Sequence, residues 1–153
     1  MEENHIIFNE LMNISDMILW CAQAAKVLSE EKDCGEKLFP AIRTVVHSLV
    51  NDMKSCLIES EKAIVKIDDS GLDRKFTGKT KEISINISKL EENAMHTLIR
   101  VLRDRSENRL DNKTLSSFLS FVFTFCKIAN SIDNLWETIF RWKVTYYLDI
   151  SHF

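Results

Sequence analysis

Three glycines and one proline are all the chain holds of the two residues that punctuate turns. An all-β fold reverses direction every 8–12 residues or so and depends on such residues to do it, so that class is excluded. Cysteine is present but unpaired in sequence. Cys21, Cys34, Cys56 and Cys126 form no C-x-x-C and have no histidine at ligand spacing, which leaves no zinc motif. No apolar N-terminal run resembles a leader, and reduced thiols in a cytoplasmic setting are the expectation. Cys34, in a predicted turn, is expected to be the reactive one. The densest apolar stretch, Phe118 to Cys126, is well short of the ~20 residues of a bilayer span, so no membrane span is expected. Neither G-x-x-x-x-G-K-[ST] nor G-x-G-x-x-G occurs, which leaves nucleotide binding without a cradle.

What is present is helical periodicity over a length that suits one domain, residues 1–153, with 45% apolar and 28% charged residues. Phe8, Leu11, Met12, Ile14, Ile18, Cys21, Ala25 and Leu28 recur at steps of three and four and predict a first helix over about residues 3–30. A polar run ending in Gly35 closes it, and a left-handed glycine is the expected stop. Leu38, Ile42, Val45, Val46, Leu49, Met53, Cys56, Leu57, Ala63 and Ile64 predict a second helix, with Pro40 in its first turn. Residues 72–81 are left open between loop and helix. Ile83, Ile87, Leu90, Ala94, Leu98, Val101 and Leu102 predict a third helix with arginines in its last turn. A fourth is expected from about Lys113 to Leu148, with Leu115, Phe118, Leu119, Val122, Phe125, Cys126, Ala129, Ile132, Leu135, Trp136, Ile139, Phe140 and Val144 inward. Short connections between long helices predict an all-α, antiparallel up-down-up-down four-helix bundle.

Catalysis inside such a bundle would call for inward glutamates with Glu-x-x-His on two helices, and the helix interiors lack that pattern. Glu2 and His5 have the spacing at a fraying end, and Glu92 and His96 read as a surface pair. No cofactor or metal is expected. Arg43 and His47 share a helical face and, with Arg100, Arg103, Arg105 and Arg109, form the alternative reading: a small nucleic-acid-binding or nuclease-like effector. Asp104 and Glu107 dilute that basic cluster, and nucleic acid is the less favoured partner. Net charge is −3. Residues 1–69 carry 7 Lys/Arg against 13 Asp/Glu and the remainder 13 against 10, so the expectation is that the two halves attract each other within the bundle, the alternative being a basic binding face on the second half.

Nine of the fourteen aromatic residues lie between Phe118 and Tyr147, more than one inward face accommodates. Phe121, Phe123, Trp142, Tyr146 and Tyr147 fall partly off the stripe, either padding a wide core or meeting a partner. Trp142 stands between Arg141 and Lys143, a composition enriched at interface hot spots. Arg141, Trp142, Lys143, Tyr146, Tyr147, Phe121 and Phe123 are therefore the expected partner-binding residues. The run Cys21-Ala22-Gln23-Ala24-Ala25-Lys26-Val27-Leu28 has the small-residue texture of rod-like scaffold helices. In that respect the chain resembles, at the level of fold and with no diagnostic motif, the bundles of vinculin-, α-catenin- and focal-adhesion-targeting-like proteins. The resemblance implies a partner helix or peptide lying between two helices of the bundle. The function expected is non-enzymatic: an adaptor, scaffold or regulator that docks a helix or pairs with itself through the aromatic C-terminal helix.

Overall fold

The structure, a computed structural model, describes residues 2–65, 85–86, 88–90, 92–96, 99, 103 and 112–151. Among these only Glu31 lies outside a helix, and there is no strand. Helix α1 spans Glu2–Glu30, a π-helical turn spans Cys34–Leu38, α2 spans Phe39–Val65 and α3 spans Asn112–Ser151. Residues 72–81, the open stretch of the sequence reading, lie outside the described residues, as do most of the predicted third helix. Of that helix Leu90 and Ala94 are buried, and Asn86 Nδ2 donates to Asp52 Oδ2 of α2 at 2.8 Å.

The C-terminal helix is the shared wall, since α1 and α2 each pack on it rather than on one another. Its sequence explains why. Phe118, Phe121, Ile128, Ile132, Leu135 and Ile139 form one buried seam, and Val122, Cys126, Ala129 and Trp136 form a second beside it. Two adjacent seams on one helix give two grooves for two neighbours. Beside the first seam runs a half-buried column of Ser117, Thr124, Ser131 and Thr138, and beyond it an exposed one of Lys113, Ser120, Lys127, Asn134 and Arg141. An 18-residue window within Asn112–Trp142 reaches a mean hydropathy of 1.4, so this stretch is long and apolar enough to cross a membrane by length and composition. Serine and threonine are nearly neutral, so a long window stays apolar where the contiguous run is short. Of that window 39% is buried inside the protein, and a core helix meets the same test.

The α1–α2 corner is helical almost throughout. Glu31 N–H donates to Leu28 O, Gly35 N–H donates to Glu31 O, and the Glu31 carboxylate accepts from the Cys34 N–H at 2.7 Å. Phe39 N–H closes on Cys34 O, five residues back. The widened turn sits immediately before Pro40, whose ring would clash with the carbonyl four residues back in a regular helix. Gly35 has no positive φ, so its freedom is not what the turn uses. A Cβ built there would stand 2.5 Å from the Ser29 carbonyl oxygen. Glycine is required by close approach of two backbones rather than by a left-handed conformation.

Candidate functional site

Helix α1 departs most from the sequence reading, and the departure makes the candidate site. Its buried positions are Ile7, Ile14, Cys21 and Leu28, a strict seven-residue repeat that forms one narrow seam against α3. Phe8, Leu11, Met12 and Ile18, expected inward, are 60%, 41%, 51% and 46% exposed, and Leu19 is 59% exposed. At 100° per residue these five fall within an arc of about 120° on one side of the seam. On the other side Ile6, Trp20 and Val27 are also exposed. A helix apolar on nearly every side gives no three-to-four periodicity from which to choose its buried face.

The exposed arc runs into a groove of about 430 Å³ between α1 and α2, floored by α3. Ile18, Cys21, Ala22 and Ala25 form one wall, Val50, Met53 and Leu57 the other, and Phe121, Phe125, Ile128 and Ile132 the floor. Lys54 is the single charged lining residue. The alanines of α1 keep the groove open, because larger side chains at 22 and 25 would fill it. Across the seam a second cavity of about 600 Å³ lies between Trp20, Ala24, Val27 and Glu31 and the hydroxyl-rich start of α3.

The aromatic surplus is used differently from the sequence expectation. Phe121 is buried, with its ring edge-on to Phe39 at 5.4 Å, and Phe39 also meets Phe118 at 5.8 Å. The π turn delivers Phe39 to this position, which takes Phe121 off the candidate surface. Phe123 stands exposed on the polar side of α3. Arg141 is exposed and pairs with Glu137 at 3.5 Å, while Trp142 is half-buried. Lys143, Tyr146 and Tyr147 belong to α3, but their side chains lie outside the described residues.

The remaining candidates separate cleanly. Arg43 and His47 do come together, at the rim of a cavity of about 270 Å³ whose other lining residues include Phe39, Ile42, Val46 and Phe121. That lining is carbon, not the donor array a phosphate needs. Arg103 is exposed, and Arg100, Arg105 and Arg109 lie outside the described residues. His96 Nε2 and Glu92 Oε1 are 3.7 Å apart on an open surface, and the Glu2 side chain lies outside the described residues. Among the described residues no three His, Cys, Asp or Glu side chains converge as a metal set.

All four cysteines are buried and none is in a disulfide. Cys34 is fully covered rather than presented on a turn, and burial, reinforced by the nearby Glu31 carboxylate, pushes its thiol up to about 12. Burial raises Cys21 to about 11. A thiol that stays protonated is a poor nucleophile, so the expectation of a reactive Cys34 is corrected. Ser60 and Asp133 each bury an oxygen without a hydrogen-bond partner among the described residues. Desolvation, and then Glu137, hold the Asp133 carboxyl above its ordinary value. No family model, curated protein or solved structure matches the chain.

Proposed function

We propose that this chain is a non-enzymatic interaction module, an antiparallel up-down-up-down four-helix bundle that docks an amphipathic helix on α1 and in the groove beside it. One observation carries the reading: five large apolar side chains of α1, 41–60% exposed, are continuous with a groove whose lining has one charge. Scattered apolar residues are ordinary on a protein surface; a contiguous apolar face bordering a cleft marks a binding site. The docking face thus moves from the aromatic C-terminal helix to the first helix. Chain directions support the bundle. Leu28 shares a cavity with Lys113 and Thr114 while Ile18 shares one with Ile132, so α1 and α3 run oppositely. Phe39 meets Phe118 while Leu57 lies with Ile132, so α2 and α3 run together. Four cysteines held as thiols rather than disulfides suit a reducing, cytoplasmic compartment.

The test is site-specific photocrosslinking in cells with p-benzoylphenylalanine at Leu19, against the same probe at Asn130 on the polar side of α3. The expected result is a discrete crosslinked protein species at Leu19 and none at Asn130. Equal or absent crosslinking at the two positions overturns the reading.

A further inference from the structure

We propose that the outward face of α1 pairs with the same face of a second copy of this chain, antiparallel and centred on Ser15. The proposal rests on the interaction-module reading and names its partner. The exposed face, in order, is Phe8, Leu11, Met12, Ser15, Ile18, Leu19 and Ala22. A two-fold axis at Ser15 sets residue i of one helix opposite residue 30 − i of the other. Phe8, the largest side chain, then meets Ala22, the smallest, at both ends of the contact. Leu11 and Met12 meet Ile18 and Leu19, and the small Ser15 meets itself where the two backbones come closest. This is the self-complementarity an isologous interface demands.

Parallel pairing fails on the same residues. It would set Phe8 on Phe8 and Ala22 on Ala22, overfilling one end of the contact and leaving a void at the other. It would also stack Lys26 on Lys26.

The area suffices. Side chains of this size, exposed by 41–60%, leave on the order of 90 Å² each to be covered. Five from each copy give roughly 900 Å² of apolar surface. Homodimer interfaces are about 65% apolar, so the whole contact comes to roughly 1,400 Å², inside the ~1,200–2,000 Å² range of stable interfaces.

Cysteine crosslinking tests the register on the intact chain. Ser15 and Asn130 are both exposed, so Ser15→Cys and Asn130→Cys leave the core untouched, and the four native thiols are buried. Light scattering of the wild-type chain at micromolar concentration is expected to give twice the chain mass. Mild oxidation is expected to link Ser15→Cys chains into a disulfide dimer and to leave Asn130→Cys chains single. Mixing Phe8→Cys with Ala22→Cys is expected to give the mixed dimer in preference to either self-linked one. Leu11→Glu is expected to return the chain to a monomer with an unchanged helical circular dichroism spectrum. A monomeric wild type, or a dimer that Ser15→Cys does not link, overturns the proposal. A monomer that still crosslinks to a different protein through position 19 ends self-pairing alone and leaves the module reading standing, whereas a monomer that crosslinks to nothing ends both.

Discussion

Replacing Gly35 with alanine sets two principles against each other with opposite signs. Gly35 lies in helical backbone without a positive φ, and there alanine ordinarily stabilises by ~0.5–1 kcal/mol because it restricts the unfolded chain. The added methyl, however, would stand 2.5 Å from the Ser29 carbonyl oxygen and 3.4 Å from its carbon. Backbone atoms cannot rotate aside as a side-chain end can, so the π turn must shift by several tenths of an ångström, and overpacking of this kind costs ~1–3 kcal/mol. The shift would also strain the hydrogen bond of 2.9 Å from Gly35 N–H to Glu31 O. The net expectation is a loss of ~1–2 kcal/mol. With a urea slope near 2 kcal/mol per molar for a domain of this size, the midpoint falls by about 0.5–1 M. Equilibrium urea unfolding followed by circular dichroism reads this directly. Asn130→Ala serves as a control, since on the exposed side of α3 it follows helix propensity alone and raises stability by roughly 0.5 kcal/mol. A Gly35→Ala midpoint equal to or above wild type would refute the close-approach argument.

Two further outcomes follow from buried groups. Cys34, fully covered with its thiol near 12, is expected to label with a thiol reagent at pH 7–8 only as fast as the chain opens. Mass spectrometry after timed alkylation checks this, and labelling at the rate of a free cysteine would contradict the burial. Asp133 has a raised folded-state pKa and a buried oxygen without a partner among the described residues. The folded state therefore binds its proton more readily than the unfolded state does. Stability should rise as pH falls from the raised folded value toward the ordinary aspartate value near 4, and gain nothing more from this group below it. Asp133→Asn should be more stable than wild type at pH 7, with the advantage shrinking as pH is lowered through that window. An advantage independent of pH in urea titrations would exclude the carboxylate as its cause.

The sequence carried the helices wherever one face was distinctly apolar and the other distinctly polar. Ile42, Leu49, Met53 and Cys56 of α2, and Phe118, Val122, Cys126, Ala129, Ile132, Leu135, Trp136 and Ile139 of α3, are buried as their spacing predicts. On α1 periodicity found Ile14, Cys21 and Leu28 but could not separate them from Phe8, Leu11, Met12 and Ile18, because these with Leu19, Trp20 and Val27 surround the helix with apolar columns. Which column is buried was decided by the partner: α3 offers narrow seams, and Ile7, Ile14, Cys21 and Leu28 fit one of them. The seven-residue spacing of those four was the available signal, hidden by the more numerous residues around them. Phe121 and Cys34 were misplaced for a different reason. Both depend on the π turn, which places Phe39 against Phe121 and encloses Cys34, and a single widened turn leaves no mark on hydrophobic spacing. The candidate groove was beyond sequence reading altogether, since it is the space left between two helices that share a wall without touching closely.

That shared wall also sets an order of events during synthesis. Both α1 and α2 bury their main seams against α3, and the seams of α3 are complete only at Ile139. From Val65, the end of α2, to Ile139 a ribosome working at ~5–20 residues per second takes about 4–15 s. Throughout that interval two finished amphipathic helices stand without the surface they are shaped to cover. Nascent chains on one messenger would then be held close together with their first helices uncovered.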